Sequence, residues 1–495
     1  MSSDRSDKAP SLLDALIPIM ALIGMLSASV YFFGEDSSYG PNQVALFVAS
    51  GIAIMVSVKN GNTWDDIVGA ISNSVSTTVN AILILLMVGA LIGSWIVSGT
   101  VPTMIYYGLK LINPQFFFVT ACVVCALASI SIGSSWSVIG TIGLGLFGVA
   151  NSLGIAPEIA AGAIVSGAYF GDKMSPLSDT TNLSPAVAGT DLFTHIRHMT
   201  WTTFPAIGMA LILYTIIGLG TEVDASAINV GEKLALLEDQ FGAGPHLLLP
   251  ILVVIGLAWK KYPAFPSMMV SVLAGIVLAL IFQQDLLAKF GAAEGLGTVS
   301  ATFKAVWTAL FGGYTAATPD AELNELLSRG GMAGVMNTIW LIISAITFGA
   351  IMEHAGFLQR LIVGVMSKVR SSGSLIFTTV CTCIGINVVA GDQYIAIVLP
   401  ARMYKMEFKN RNLAPQNLSR TVEDAGTVTS ALIPWNTCGA FISGVLGISA
   451  LAYAPYAFFN IFSPIVSVIY GVLNFKLVKL DESEVELEAQ KAAAE

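Results

Sequence analysis

The sequence predicts an all-α polytopic membrane protein made of two inverted repeats, each holding a re-entrant helical hairpin and a broken transmembrane helix. Three observations carry this. The chain of 495 residues is 55% hydrophobic and 11% charged, with mean hydropathy +0.76, where soluble proteins carry about 25% charged residues. Its two halves align on a shift of 258 residues. Carboxylates lie between apolar segments, among glycines, prolines and hydroxyls, and charge at that depth is costly enough to mark function.

Apolar runs such as Leu12 to Phe33, Ala81 to Val97, Phe116 to Ile130 and Met268 to Phe282 reach or approach the roughly 20 residues that a span requires. Residues 1–11 read as a short cytoplasmic N-terminus. The run behind them is too long for a signal-peptide core and lacks a small-residue cleavage site, so it is the first span. N-terminal spans and the first repeat fill residues 12–220, with a hairpin at about 114–153 and a broken helix at about 157–195. An external loop follows at 221–244, then connecting spans and a loop at 245–332. The second repeat takes 333–475, with its hairpin at about 372–403 and its broken helix at about 416–452, before a cytoplasmic tail at 476–495. Two stretches, Trp64 to Val79 and Ser300 to Gly312, are less apolar and read as interfacial helices or span extensions.

The repeat rests on landmarks at one offset. Gly133-Ser-Ser-Trp136 falls on Gly391-Asp-Gln-Tyr394, Ala156-Pro157 on Ala414-Pro415, and Pro176-Leu-Ser-Asp-Thr180 on Pro434-Trp-Asn-Thr-Cys438. Further upstream, with a small gap, Gly89-Ala90 matches Gly349-Ala350. Internal repeats with interrupted helices are a hallmark of secondary transporters. Loop charge sets the expected orientation. Arg5, Lys8, Lys59, Arg197, Lys260, Lys261, Lys368, Arg370, Arg402, Lys405, Lys409, Arg411, Lys476 and Lys479 are assigned inside, and the acidic stretch Glu222 to Asp239 outside. This obeys the positive-inside rule with Lys110 and Lys289 as exceptions. The first hairpin then opens outward and the second inward, which makes the repeats inverted.

The candidate ion-binding and proton-carrying groups are Asp172, Asp179, Asp392 and Asp424. Supporting oxygen ligands are Ser134, Ser135, Ser178, Thr180, Asn182, Asn436 and Thr437. Hard cations such as sodium favour oxygen, and a broken helix adds free carbonyls. The tightest set, and the expected Na+ seat, is Asp172, Ser178, Asp179 and Thr180. Asp172 pairing with Lys173 in a loop, and Asp392, Asn436 and Ser134 capping helix starts, are the structural alternatives. Glu423 is expected to pair with Arg420 at spacing i, i+3, which leaves Asp424 as the inward-facing acid. Glu353 reads as an interfacial acid beside His354. Lys173 is the only basic residue of the core motifs, which favours a bare cation over a carboxylate substrate.

Other chemistries find little support. The five cysteines in apolar surroundings read as packing residues, not a disulfide framework or zinc site. The four histidines are scattered. No basic patch suggests nucleic acid, no nucleophile–base pair suggests an enzyme, and no cofactor is implied. A buried carboxylate is pushed toward its protonated form by desolvation and toward its charged form by a bound cation. Competition of Na+ and H+ for one group, in a protein that moves only when the site is filled, yields antiport. The alternative is sodium-coupled transport or exchange of an organic solute.

The run Gly171-Asp-Lys-Met-Ser-Pro-Leu-Ser-Asp-Thr-Thr-Asn182, continued by Ala188-Gly-Thr-Asp-Leu-Phe-Thr-His-Ile-Arg-His198, resembles the signature of the NhaC family of sodium/proton antiporters. Glu423-Asp-Ala-Gly-Thr-Val-Thr-Ser430 and Ile433-Pro-Trp-Asn-Thr-Cys-Gly439 are similar to that family's second landmark. Asp172, Ser178, Asp179, Thr180, Asp424, Asn436 and Thr437 match it position by position, whereas Ala425 and Ala431 stand where the family pattern suggests Ser and Pro. The resemblance implies transported Na+ and H+, a multi-pass place in the inner membrane of a bacterium among its lipids, and a homodimer. Some relatives exchange malate for lactate and others carry amino acids, so it fixes the machine better than the cargo.

Overall fold

The computed structural model describes residues 10–221, 230–366 and 369–480. Of the charges assigned by topology, Arg5, Lys8, Glu222 and Lys368 lie outside the described residues, as do the tail residues 481–495.

Helix α1 (Leu12–Phe33) begins at a reciprocal cap in which Ser11 and Asp14 bond each other's backbone, so it starts at the edge of the apolar run. It is followed by α2 (Pro41–Lys59) and α3 (Trp64–Val97). The α3 helix runs 34 residues from a Thr63–Asp66 capping box, so the weakly apolar Trp64–Val79 is the continuation of a span. After α4 (Thr100–Leu111) comes the first hairpin. It consists of α5 (Phe117–Ile132), a tip at Gly133 and Ser134, α6 (Ser135–Val138), a π-helical turn (Ile139–Gly143) and α7 (Leu144–Ser152). The first broken helix is α8 (Pro157–Met174), an open stretch at 175–178, and α9 (Asp179–Ala188). A new helix, α10 (Leu192–Gly220), starts from an Asp191 cap. The α5 and α8 helices lie almost backbone to backbone: a Cβ on Gly167 would stand 2.0 Å from the Cys122 carbonyl oxygen, and one on Gly171 2.5 Å from that of Ala126. Such small-residue seams are how helices associate where lipid supplies no hydrophobic drive.

The middle of the chain holds α11 (Val230–Phe241), α12 (Leu249–Trp259), α13 (Ala264–Phe282), α14 (Gln284–Phe290), α15 (Thr298–Gly312) and α16 (Ala321–Leu327). Part of the stretch read as an open loop is therefore helical, and α11 is held inward by Lys233, which donates to the Ser152 carbonyl at 3.1 Å. The second repeat begins with α17 (Met336–His354) and α18 (Phe357–Met366), followed by a hairpin of α19 (Ser372–Ala390) and α20 (Gln393–Asn410). Its broken helix is α21 (Pro415–Val422), a π-helical turn (Glu423–Thr427), α22 (Val428–Ser430), an opening at 431–436, and α23 (Thr437–Leu446). The chain closes with α24 (Ala450–Tyr453) and α25 (Phe458–Val472).

The fold class is as the sequence predicts: all-α, with eight helices long and apolar enough to cross a membrane among the described residues, or ten if two bent pairs each count as one span. The offset of 258 recurs in backbone conformation. Ser134 and Asp392 cap the helices after the two tips, and Ser178 and Asn436 cap the second arms of the broken helices. Gly154 and Asn412 take φ of 62° and 58°. Gly189 and Gly447 end α9 and α23 in the left-handed region. Caps and turns thus recur at the spacing read from the sequence.

Candidate ion-binding site

Each hairpin tip is seated on the break of its own repeat. Gly133 adopts φ 77°, and a Cβ there would lie 2.6 Å from the Leu177 Cβ and 2.8 Å from the Leu177 carbonyl carbon. Gly391, φ 65°, sits against Ala345 and the Trp435 carbonyl, and its own carbonyl accepts from Thr437 N at 2.8 Å. Only glycine takes this conformation cheaply. We expect Gly133→Ala to cost about 2–4 kcal/mol, summing left-handed strain and overpacking, read as a lower thermal unfolding midpoint of the purified protein. Gly391→Ala should cost less, because its nearest neighbour is a side-chain methyl.

The break beneath the first tip is built from hydroxyls. Ser175 Oγ donates to the Ile130 carbonyl at 2.7 Å, tying the break to the end of α5. Thr181 Oγ1 donates to the carbonyls of Asp172 and Lys173 at 3.1 and 3.0 Å. Asn182 turns its amide onto the Pro176 and Ser178 carbonyls at 2.9 and 2.6 Å. Ser178 and Thr180 share a hydroxyl–hydroxyl bond of 3.1 Å.

Asp172 lies buried at the end of α8. Its Oδ2 accepts from Ser135 Oγ at 2.6 Å, while its Oδ1, also buried, has no hydrogen-bond partner in the protein. Asp179, at the start of α9, interacts with it electrostatically but is exposed. It lines a cleft of about 380 Å³ with Asn80, Ser134, Ser137, Thr141 and Lys261 among the walls. Tyr394, from the second repeat, donates to Asp179 Oδ2 at 2.6 Å. Ser134 lines the same cleft and caps α6, with its Oγ accepting from Ser137 N at 3.2 Å.

Asp392 is buried and acts as a cap. Its Oδ1 accepts from the backbone of Tyr394 and Ile395 at 2.9 and 3.0 Å. Asn436 likewise caps α23 through Cys438 N at 3.1 Å, and its amide donates to Asn387 Oδ1 at 3.0 Å. Thr437 is buried beside it. Glu353, at the end of α17, is partly exposed.

The acids of the second break require a correction. Arg420 does not pair with Glu423. Its Nε lies 3.9 Å from Asp424 Oδ2, at i, i+4. Asp424 is the stronger focus because Lys173 donates to its Oδ1, as does Thr202 Oγ1 at 2.9 Å. Lys173 therefore belongs to Asp424, 251 residues away, and not to its neighbour Asp172; Ser463 Oγ accepts its other contact at 2.9 Å. Arg420, just outside the core motifs, is a second fully buried basic group. Glu423, fully buried, turns to α9, where Ser184 Oγ donates to its Oε2.

Sequence reasoning missed Tyr394, Asn387, Thr202, Ser463 and Ser184, all neutral groups that approach from distant segments. Only Tyr394 carried a signal, as the residue two positions beyond a predicted tip acid. Among the described residues no three of His, Cys, Asp and Glu converge as a metal cluster would. The arrangement offers carboxylate, hydroxyl and carbonyl oxygen, all hard ligands.

A profile of the Na+/H+ antiporter family matches residues 167–475. The chain is 38% identical to the Na(+)/H(+) antiporter NhaC of Alkalihalophilus pseudofirmus, covering 93% of this chain and 96% of that one. It is 32% identical to the Malate-2H(+)/Na(+)-lactate antiporter of Bacillus subtilis over 93% and 95%. It is 34% identical to the Arginine/ornithine antiporter ArcD of Halobacterium salinarum over 99% and 97%.

Proposed function

Since the chain belongs to the Na+/H+ antiporter family, a multi-pass transporter of the cytoplasmic membrane, we propose that it exchanges sodium for protons by alternating access, with Asp172 and Asp179 bound competitively by the two ions. The observation that carries this is the unpartnered Oδ1 of buried Asp172. A buried carboxylate oxygen without a donor is unstable as it stands, and either a proton or a small cation resolves it. Filling by one excludes the other, which is the requirement for exchange. Asp179 faces the cleft, so it receives the ion from water and passes it inward toward Asp172, with Ser178 and Thr180 as further ligands. Asp392, Asn436 and Thr437 hold the second tip and its break in place behind the site. Asp424 is the counter-charge of Lys173. Lys261 lies on the side assigned to the cytoplasm, so the cleft is the cytoplasmic approach. A homodimer fits the family.

One observation favours a second reading. The cleft of about 380 Å³ beside Asp179 has room for more than a dehydrated ion, and relatives named for malate, lactate, arginine and ornithine move such solutes. The test is proton flux in proteoliposomes with a pH dye inside and sodium added outside, without organic solute. Sodium-driven alkalinisation of the lumen, reduced about tenfold or more in Asp179→Asn through loss of a charged contact, supports the exchanger. Flux that appears only once a carboxylate or amino acid is supplied rejects it in favour of solute exchange.

A further inference from the structure

Glu423 is one of three core acids with a carboxyl oxygen that no hydrogen bond reaches, beside Asp172 and Asp424, whose open Oδ2 faces Arg420 Nε at 3.9 Å. It stands in the π-helical turn between α21 and α22, fully buried, with Oε2 held by Ser184 Oγ and Oε1 without a partner. The hydroxyl of Thr427, one turn on, is also buried and unpartnered, and interacts with the same carboxyl. The charged groups facing it are Lys173 and Asp172, both on α8. Lys173 is committed to Asp424 and Ser463. From α10, Thr202 goes to Asp424, while His195 pairs through Nδ1 with Ser419 Oγ at 2.6 Å. From α19, Asn387 donates to Gly426 O at 2.7 Å, and from α20, Lys405 reaches the Val187 carbonyl. Among the described residues no cation is dedicated to Glu423 as Lys173 is to Asp424.

We infer that Glu423 is a proton-carrying residue of the exchange, alternating between an ionised form held by Ser184 and Thr427 and a protonated form in which its own O–H satisfies the oxygen now unpaired. This rests on the reading of the protein as a sodium/proton exchanger. The step is a simple acid–base equilibrium: the carboxylate gains one proton from water on one side of the membrane and returns it to water on the other. Because Ser184 sits on α9, the helix that begins at Asp179, and because Asp172 is within electrostatic reach, a proton on Glu423 and a cation at Asp172 and Asp179 act on one another through α9. Asp424 is instead held by Lys173 and Thr202. A buried carboxylate with a neutral donor and an open oxygen has a hydrogen-bond arrangement available to it in either protonation state.

The test uses the full chain in proteoliposomes and two readouts: sodium-driven proton flux, and exchange of radiolabelled sodium for unlabelled sodium at equal pH on both sides. Glu423→Gln should lose proton flux at least about tenfold while sodium self-exchange stays within about twofold of wild type. Retention of both activities overturns the inference. If the variant loses both, Ser184→Ala decides. Without the hydroxyl that stabilises the ionised carboxyl, the pH profile of proton flux should move about one unit toward alkaline pH, and an unmoved profile overturns the inference. Failure of the exchanger reading looks different, since wild type then shows no sodium-driven flux. The same variants are then compared on proton flux driven by the organic solute, where an undiminished flux in Glu423→Gln again rejects the role.

Discussion

Asp172→Asn abolishes sodium-driven proton exchange, with a loss on the order of 100-fold for about 3 kcal/mol of charge-assisted contact removed. The amide is nearly the same size, so packing around Ser135 and α5 is kept. What disappears is the negative charge in a place where water cannot replace it. The amide also turns an acceptor into a donor toward an environment rich in donors: Ser135 Oγ already points at Oδ2. Sodium then loses the buried counter-charge and one of its oxygens, and the carboxyl at which it competes with a proton is gone. The measurement is the proteoliposome assay at saturating sodium, with fluorescence-detected size exclusion as a check that the protein is folded. Exchange within about threefold of wild type would remove Asp172 from the site.

Lys173→Met destabilises the protein by about 3 kcal/mol, the low end of the range for breaking a buried pair. The lysine is fully buried with Asp424, both with side-chain exposure of 0%. Removing one partner leaves an uncompensated anion at membrane depth. The low end applies because Arg420 Nε, at 3.9 Å, offsets part of the loss. The same reasoning predicts rescue: Lys173→Met with Asp424→Leu replaces a charged pair by apolar volume and should recover most of the lost thermal midpoint in detergent. A double variant as unstable as the single one would show that the pair is not an independent unit. The pair joins α8 of the first repeat to the π-turn of the second, so its loss also loosens the two breaks from each other.

What the sequence revealed was local. Gly133, Gly391, Pro176 and Pro434 announce interruptions because their backbone chemistry acts on their immediate neighbours, and the tips and breaks lie where these residues stand. Capping by Ser134, Asp392, Ser178 and Asn436 is equally local, which is why the offset of 258 could be read from letters and recurs in the helix ends. Side-chain direction was not legible. Arg420 has acids at both i+3 and i+4, and spacing alone does not choose between them. The choice is made by Lys173 and Thr202, which arrive from other helices and concentrate donors on Asp424. The π-helical turn at Glu423–Thr427 adds a further shift of phase that no periodicity in the sequence reports. Tyr394 meeting Asp179 across 215 residues is a product of assembly and has no local signature.

The closures that seat each tip on its own break lie within one half of the chain: Gly133 on Leu177, Gly391 on Trp435. Ser129 Oγ donates to the Ala168 carbonyl at 2.7 Å, and its counterpart Asn387 Nδ2 donates to the Gly426 carbonyl, also at 2.7 Å. Mechanically, each half closes its own tip before it needs the other. The main-chain scaffold is kept twice, because altering a helix end or a left-handed turn endangers folding. The chemistry mounted on it differs: serine against aspartate at the tips, aspartate against threonine at the breaks. The two halves thus mount unlike side chains on alike helix ends, so a substitution at one site leaves the other half's closure intact.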